Sequence, residues 1–240
     1  MNVLKFKTFL LILSLSYSSY ADEFWGLESW INSKRAPDFE KIADTQTRKT
    51  TFFQYLLPEI RWQNSKIIKL RQQIKNNQLS ASKLSVLKKY YKLSDTASND
   101  ALLNAVDIVP ASLVLAQAAY ESNWGRSRFA KYYHNYFGLW CFKKGCGVVP
   151  LRRDQDDKHE VAKFSSLDKA IAYYFQSINR NSAYQTLRKI RKHKRDNNLT
   201  ISGESLAEGL QDYAEIGHEY VDTVKAIIRH NQLDKYDFQI

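Results

Sequence analysis

Apolar side chains recur at helical spacing between Thr50 and Ile74, and this stretch constrains the fold more than any other feature. Most of the positions lie three, four or seven residues apart, and they are Phe53, Leu56, Leu57, Ile60, Ile67, Leu70 and Ile74. Such spacing places them on one face of a long helix. Pro58 lies inside the stretch, and proline kinks or breaks helices because it lacks an N–H group. The pattern therefore predicts a long helix with a kink or a break at Pro58.

A second helix is predicted directly after the first. Ser80 or Ser82 can cap it, since serine oxygens accept hydrogen bonds from the free N–H groups of a helix start. The two helices would form a hairpin. The polar stretch 94–100, rich in Ser, Asp, Thr and Asn, is the best candidate boundary after it. We therefore expect residues 22–98 to form an N-terminal helical hairpin region and residues 99–240 to form a separate domain.

Most of the remaining chain also favours helices. Pro110 suits the first position of a helix, residues 111–121 are mainly helix formers, and Gly125 supplies a stop. Residues 132–157 are loop-rich, and the loose alternation in 159–164 predicts a short strand. Helical spacing resumes in three segments, which begin near Leu167, Ser205 and Glu219. The predicted fold class is mainly α, with a small β or irregular lobe inserted after the helix that contains Glu121.

Residues 1–21 have the three parts of a secretory signal peptide. Lys5 and Lys7 precede an apolar run at 9–15, and small residues lead to Ala21. The run is shorter than the roughly 20 residues that a membrane-spanning helix needs, and no later segment approaches that length. We expect cleavage after Ala21 and export to the periplasm or cell envelope, with no stable membrane span afterwards. Retention as an uncleaved anchor is the alternative.

The formal net charge of +11 indicates a polyanionic partner. Inside a cell, a protein with such a charge usually binds nucleic acid, but the export signal argues against that partner here. In an envelope the polyanions are peptidoglycan carboxylates, teichoic acids and lipid head groups. The densest basic run, residues 188–195, is interpreted as a solvated helix end rather than as a dedicated binding patch. We expect a monomer.

Cys141 and Cys146 are the only two cysteines of the chain. In an oxidising compartment, an isolated pair this close predicts a local disulfide. Closing so short a ring contributes only about 2 kcal/mol through loop entropy. A zinc site is not expected, because His134 and His159 are poorly spaced partners for these cysteines. No metal or organic cofactor is expected.

Glu121 is the strongest candidate for a catalytic group. It lies near the C-terminal end of its predicted helix, on the same face as Val114, Gln117 and Ala118. The negative end of the helix dipole and an apolar neighbourhood both oppose ionisation. A general acid that works near neutral pH needs that upward shift of its pKa. A solvated glutamate at a helix end is the plainer alternative.

The residues around Glu121 closely resemble a motif of bacterial glucosaminidases. Residues 121–125, Glu-Ser-Asn-Trp-Gly, match the Glu-Ser-x-Trp-Gly element, and residues 135–138, Asn-Tyr-Phe-Gly, match the Asn-x-Phe-Gly element. Tyr213-Ala214, followed by Tyr220, matches the Tyr-Ala element near the end of the domain. The resemblance takes in glycoside hydrolase family 73, the flagellar peptidoglycan hydrolases and, most closely, the Bax-type envelope proteins. It covers residues from about 100 to 235, and the N-terminal hairpin resembles that of the Bax-type members.

This resemblance implies a lysozyme-like glucosaminidase domain that hydrolyses peptidoglycan glycan strands. The bond cut would be the β-1,4 bond after N-acetylglucosamine, with Glu121 protonating the leaving oxygen. Tyr213 would position water or the substrate's acetamido group, and Tyr220 is a second candidate tyrosine. His134 stands where many members have asparagine, and the loop between the cysteines is an elaboration. These departures affect the substrate detail rather than the acid.

Glu160 best matches the family's second glutamate, which opens the predicted strand. A glycosidase with two carboxylates needs a base or nucleophile across the scissile bond from the acid. Asp154, Asp156 and Asp157 are nearby competitors that also fit a solvated acidic turn. If none of these carboxylates acts, the substrate's own acetamido oxygen can serve as nucleophile.

Four side chains after the acid are candidates for binding substrate or for shaping the site. Sugar rings present apolar faces that stack on aromatic rings, so Tyr136 and Trp140 are expected to line the groove. Trp124 and Phe137 are interpreted as core. The Asn135 amide either binds substrate or ties down its loop, and the second role is favoured.

Two other functions fit parts of the pattern. A lytic transglycosylase also begins with a Glu-Ser pair on a helix, but the chain has no downstream Gly-Leu-Met-Gln-like segment. A non-catalytic peptidoglycan-binding protein would keep the groove and lose the acid, so the presence of Glu121 argues against it. The sequence therefore favours an endo-acting N-acetylglucosaminidase of the cell envelope.

Overall fold

The computed structural model describes residues 36–150, 159–211 and 217–237. This part of the chain is mainly helical with one small sheet, which confirms the predicted fold class. Several predictions lie outside the described residues: the signal peptide, Tyr213, and the competing aspartates between 151 and 158. No helix among the described residues combines the length and the hydropathy that a membrane span needs.

The described residues contain nine α-helices and three short strands. The helices are α1 Thr45–Lys75, α2 Ala81–Tyr90, α3 Asn99–Ala105, α4 Ala111–Ser122, α5 Arg128–Tyr133, α6 Leu167–Arg180, α7 Gln185–Asp196, α8 Gly203–Ala207 and α9 His218–His230. The strands are β1 Trp140–Cys141, β2 Gly147–Val148 and β3 Glu160–Ala162. Short 3-10 turns cover Ser182–Tyr184, Glu208–Leu210 and Leu233–Tyr236.

The long predicted helix is present, and it continues through Pro58. Helix α1 begins after Asp44, whose carboxylate accepts a hydrogen bond from Thr47 N at 2.7 Å. The predicted break is wrong, because the helix does not end at the proline. Pro58 is exposed, so the Gln54 carbonyl that loses its helical partner lies on the water-facing side.

Both helices of the predicted N-terminal region are present, and the long one belongs to the core. Ser80 caps α2 by accepting a hydrogen bond from Lys83 N at 3.3 Å. Helix α1 buries a stripe of apolar side chains and packs against α4 and α6. The first helix of the predicted N-terminal region therefore shares its packing with elements beyond residue 99.

Helix α4 lies at the centre of the described fold. It contacts α1, α8, α9 and the Leu233–Tyr236 turn, and its side chains are almost all buried. Its start is held by Asp237, whose carboxylate accepts hydrogen bonds from Ser112 N at 2.8 Å and Ser112 Oγ at 2.7 Å. The helix ends at Ser122, because Asn123 already has left-handed backbone angles, φ 50°. The stop therefore comes two residues before the predicted Gly125.

The predicted strand corresponds to β3, which is the central strand of a small antiparallel sheet in the order β1-β3-β2. Cys141 on β1 lies opposite Glu160 on β3, and Trp140 lies opposite Val161. The predicted disulfide joins Cys141 to Cys146 and closes the loop between β1 and β2. Strand β1 begins two residues after Gly138, the residue that lies beside Glu121.

The basic run 188–195 is only partly a solvated surface. It forms most of α7, and its Arg191 side chain is fully buried. Arg195 donates from Nε and Nη2 to both carboxylate oxygens of Asp107, each at 2.6 Å, and Arg71 of α1 approaches the same carboxylate at 3.3 Å. The prediction of a solvated helix end is therefore wrong for this face. The arginines tie α1 and α7 to the loop after α3.

Candidate active site

Glu121 occupies the last turn of α4 and is held there by a tyrosine from α9. The Tyr220 hydroxyl donates to Glu121 Oε1 at 2.8 Å. Tyr220 is fully buried, and Tyr120 packs edge-on against its ring at a centroid distance of 5.4 Å. The second tyrosine of the Tyr-Ala region therefore contacts the predicted acid directly.

Gln117 extends this contact into a chain of hydrogen bonds. Its Nε2 donates to the Tyr220 oxygen at 2.9 Å, and its Oε1 accepts from the hydroxyl of Tyr174 on α6. Gln117 lies one helical turn before Glu121 on α4, so the two side chains share a face. Three helices thus meet at one buried polar network, whose outer end is the Glu121 carboxyl.

The environment of Glu121 favours its protonated form. Burial raises the pKa of the Glu121 carboxyl, and the hydrogen bond from Tyr220 only partly opposes this, because it stabilises the ionised form. Burial also raises the pKa of Tyr184 to about 12, with the negative charge of Glu121 as the second cause. Desolvation is the first cause of both shifts. A carboxyl in such surroundings can carry a proton near neutral pH and give it up in a reaction.

Gly138 brings the backbone against the free side of the acid. Its φ is +62°, and a Cβ added there would lie 3.2 Å from Glu121 Oε2. Phe137, the preceding residue, stacks on the Tyr174 ring at a centroid distance of 4.3 Å. The Asn-x-Phe-Gly element therefore packs its Phe onto the network and places its Gly beside the acid. Glycine is required for both the backbone angle and the close approach.

Asn135 ties down its loop, as favoured from the sequence. The buried side-chain amide donates to the Leu139 and Ala162 carbonyls at 2.9 and 2.8 Å, and its oxygen accepts from the N–H groups of Phe137 and Leu139. Its hydrogen-bonding groups are used by backbone. The alternative substrate-binding role of Asn135 therefore has no support in the structure. Asn135 joins the Gly138 segment to β3.

Tyr136 does not line an open groove. Its side chain is 1% exposed, and its ring lies against Phe52 and Tyr55 of α1 at centroid distances near 6 Å, 6.1 and 6.0 Å respectively. The predicted stacking role of Tyr136 is wrong for this arrangement, because a ring that is 1% exposed offers no face to a sugar. Tyr136 instead anchors the segment to the long helix.

Trp140 has the exposed surface that Tyr136 lacks. Its side chain is 52% exposed, and one face stacks on the His159 ring at 3.9 Å. Its carbonyl accepts a hydrogen bond from the Tyr173 hydroxyl at 3.2 Å. It comes two residues after Gly138, the residue whose backbone lies beside Glu121 Oε2. This placement is consistent with the predicted sugar-stacking role of Trp140.

Glu160 lies beneath the disulfide loop. Its carboxylate oxygens accept hydrogen bonds from Gly145 N at 2.9 Å and Gly147 N at 2.8 Å, and the residue is buried. The Cys141 and Cys146 sulfurs come within 4.8 Å of a Glu160 oxygen. The sulfurs are bonded to each other, so they are not thiolates that could bind a metal. As placed, Glu160 braces the loop that follows Trp140.

The sequence reasoning missed part of the network. Gln117 carried a signal, since it is a polar residue in the middle of an otherwise apolar helix. Tyr174 and Tyr184 carried none, because tyrosines are frequent in this chain, with 15 in total. Trp124 fits the core interpretation only in part, because it is half-buried, although its ring packs edge-on against Phe53 at 5.6 Å.

Comparisons with known proteins identify relatives of this chain. Residues 98–233 match the profile of a family described as Glucosaminidase: Mannosyl-glycoprotein endo-beta-N-acetylglucosaminidase. Over 212 residues the chain is 28% identical to Protein bax of Escherichia coli (strain K12), a match that covers 83% of this chain and 76% of that protein. Among solved structures, the catalytic domain of the autolysin Auto from Listeria monocytogenes is 20% identical with a TM-score of 0.46, covering 82% of this chain and 92% of that chain.

Proposed function

The chain belongs to the glucosaminidase family, and from this premise we propose that it is a peptidoglycan hydrolase of the cell envelope. The proposed reaction is hydrolysis of the β-1,4 bond between N-acetylglucosamine and N-acetylmuramic acid within a glycan strand. Membership in this family agrees with the resemblance of the Glu-Ser-x-Trp-Gly, Asn-x-Phe-Gly and Tyr-Ala elements to those of bacterial glucosaminidases. The observation that carries the proposal is the half-buried Glu121 carboxyl, whose pKa is raised by desolvation and which is held by Tyr220 beside Gly138.

Glu121 is the proposed general acid. As the bond between C1 and the bridging oxygen breaks, the Glu121 proton moves to that oxygen, and the next sugar leaves with a free hydroxyl. Burial supplies the protonated carboxyl that this step requires. General acid catalysis typically contributes a factor of about 10² to 10⁴ in rate. Glu121 then takes a proton from the water that completes hydrolysis.

The second catalytic group is either Glu160 or the substrate itself. The hydrogen bonds favour the substrate, because Glu160 would have to release the Gly145 or Gly147 N–H group before it could act as a base or nucleophile. We therefore propose that the acetamido oxygen of N-acetylglucosamine attacks C1, an accepted exception to the two-carboxylate scheme. This attack closes a five-membered ring that contains C1, and water then attacks C1 and opens that ring. Glu160 contributes by bracing the loop next to Trp140.

Two further roles concern the substrate. Trp140 stacks on a sugar ring, since its side chain is exposed and follows shortly after Gly138. Tyr213 belongs to the Tyr-Ala element and is proposed to position water or the acetamido group, while Tyr220 orients the acid. The proposed enzyme needs no metal or organic cofactor and acts as a monomer on glycan strands.

The domain organisation and location complete the proposal. Residues 1–21 direct export and are removed, residues 22–98 form the helical hairpin region, and residues 99–240 form the catalytic domain. The family substrate lies outside the cytoplasm, so export to the periplasm or cell envelope fits the proposed activity. Removal of residues 1–21 takes away Lys5 and Lys7, so the net charge falls from +11 to +9 (11 − 2), which would still help to hold the enzyme on an acidic cell wall.

The decisive experiment identifies the sugar ends that the protein generates. Residues 22–240 and the Glu121→Gln variant are incubated with purified sacculi, and the products are reduced with borohydride and analysed by mass spectrometry. Reduced N-acetylglucosamine ends, made only by the unaltered protein, are expected. Circular dichroism of the variant shows that its fold is retained.

Other products point to other functions. Anhydro-muramic ends would indicate a lytic transglycosylase, and reduced muramic ends would indicate a muramidase. An intact glycan that still binds the protein would indicate a non-catalytic wall-binding protein. Undiminished cleavage by Glu121→Gln would remove Glu121 from the mechanism.

A further inference from the structure

Gln117 is an unusual residue for its position. It is fully buried, and its neighbours on α4 include Leu113, Val114 and Ala118. Burying an amide in such surroundings costs free energy unless its hydrogen bonds are made, whereas an apolar residue would pack there without that requirement. The hydrogen bonds of Gln117 lead to the acid one turn away. A role connected with Glu121 explains why a polar residue occupies this point.

The two ends of the Gln117 amide have different partners, which gives the network a direction. The Tyr174 hydroxyl donates to Oε1, so the amide nitrogen faces Tyr220. An amide nitrogen can only donate, so the Tyr220 oxygen accepts from it. A hydroxyl has one hydrogen, and Tyr220 gives that hydrogen to Glu121 Oε1.

The direction of the network determines which oxygen of Glu121 carries the acid proton. Oε1 is an acceptor and has no place for a proton along the line to Tyr220. The carbonyl oxygen of a neutral carboxyl accepts hydrogen bonds better than its hydroxyl oxygen, so the contact with Tyr220 favours the proton on Oε2. Oε2 lies on the side of Gly138, where an added Cβ would come within 3.2 Å of it. The exposed Trp140 follows two residues after Gly138, so this is the side from which we expect substrate to approach.

We propose that Gln117 is a positioning residue that orients the Tyr220 hydroxyl and thereby holds the catalytic proton on Oε2 of Glu121. The proposal rests on the proposed function, because it assigns a role within the same acid-catalysed step. Gln117 does not touch substrate. It acts through Tyr220, and its own oxygen accepts a hydrogen bond from Tyr174.

Loss of Gln117 would give the neutral acid a second arrangement. The Tyr220 hydroxyl could turn away and accept a hydrogen bond from a proton on Oε1. In that arrangement the proton points into the protein and is not available to the bridging oxygen. The neutral form of Glu121 gains a hydrogen bond, so the pKa of the carboxyl rises while the rate of proton donation falls. These two changes together distinguish a positioning role from a purely structural one.

The test compares Gln117→Met with the unaltered protein on a soluble peptidoglycan oligosaccharide. Methionine has nearly the same shape and no amide. We expect kcat to fall about 10-fold or more, within the range of acid catalysis, with KM nearly unchanged and the basic limb of the pH profile moved to higher pH. The double variant Gln117→Met with Tyr174→Phe removes the hydroxyl that the single variant leaves unpaired. It should recover stability and keep the low kcat.

Gln63→Met is the matched control, because Gln63 is a buried glutamine on α1, 3% exposed. It should lose stability without moving the pH profile. If kcat and the basic limb of Gln117→Met match those of this control, the positioning role is excluded. Failure of the proposed function gives a different result, since Glu121→Gln would then keep its activity or no N-acetylglucosamine ends would form.

Discussion

The Tyr220 hydroxyl and the Glu121 carboxyl lie 2.8 Å apart, although 99 residues separate them in the chain. The contact joins the end of α4 to the first turn of α9. It gives the acid a fixed partner on one oxygen and leaves the other oxygen beside Gly138. The proposed chemistry therefore depends on how α9 packs against α4.

Tyr220→Phe is expected to move the basic limb of the pH profile of kcat/KM to higher pH. The hydroxyl stabilises ionised Glu121, so its removal raises the pKa of the carboxyl further. The rate should fall by about 10-fold, because the acid loses its orienting partner. Tyr120→Phe, at the exposed tyrosine packed against Tyr220, is the control and should leave the profile in place. A shift of the limb to lower pH would contradict the assignment.

Glu121→Gln is expected to stabilise the fold at neutral and higher pH while it abolishes activity. Burial raises the pKa of Glu121 in the folded state, so over a range of pH the native protein holds a proton that the unfolded chain has released. The free energy of unfolding then falls as pH rises through the folded pKa, by about 1.4 kcal/mol for each unit of pKa difference. Glutamine does not titrate, so the Glu121→Gln variant does not lose this free energy of unfolding as the pH rises.

Urea unfolding at several pH values measures the effect. The two proteins should differ most above the folded pKa of Glu121 and should converge below the ordinary pKa of a carboxyl. Glu219→Gln, at an exposed glutamate of α9, controls for the change in net charge. A variant that is less stable than the unaltered protein at high pH would show that Glu121 is not held in a desolvating site.

Gly138→Ala should reduce both stability and activity. Alanine at φ +62° costs about 1 to 2 kcal/mol, and its Cβ would crowd Glu121 Oε2. Gly145→Ala is a close control, because Gly145 has φ +83° and an added Cβ would meet nothing within 4 Å. Thermal unfolding should show a similar loss for both. Only Gly138→Ala should lower kcat, and equal activities would argue against a role for the space beside Oε2.

Glu160→Ala should destabilise the disulfide loop and raise KM. The N–H groups of Gly145 and Gly147 lose their acceptor, and because neither glycine is buried each lost hydrogen bond costs about 1 kcal/mol. Added azide should not restore turnover, because the variant lacks a brace rather than a nucleophile. Recovery of activity with a glycosyl azide product would instead identify Glu160 as the second catalytic carboxylate.

Trp140→Ala should raise KM for long glycan oligosaccharides with a smaller effect on kcat. The exposed ring provides stacking area for a sugar and does not contact the acid. Loss of one aromatic platform is expected to cost about 1 kcal/mol, or several-fold in KM. Steady-state kinetics on oligosaccharides of increasing length measures this. A loss of kcat at saturating substrate would assign Trp140 a role in the chemical step.

The helices and the acid were accessible from the sequence because their signals are local. Apolar spacing predicted α1, and Ser80 predicted the start of α2, since a helix start depends on a few adjacent residues. The Cys141–Cys146 pair predicted its own disulfide through proximity. The order of the Glu-Ser-x-Trp-Gly and Asn-x-Phe-Gly elements indicated the family, which the profile match over residues 98–233 confirms.

The partners of the acid were decided by tertiary structure. Tyr220 reaches Glu121 only because α9 packs on α4, and Tyr174 reaches Gln117 only because α6 lies on the other side. The same packing turns Tyr136 towards α1 and leaves Trp140 exposed, although both are aromatic residues of one short segment. The local spacing of residues does not determine which distant side chain will donate or accept a given hydrogen bond. The sequence by itself thus determined the helices and singled out Glu121, and the packing of those helices decided which side chains contact its carboxyl.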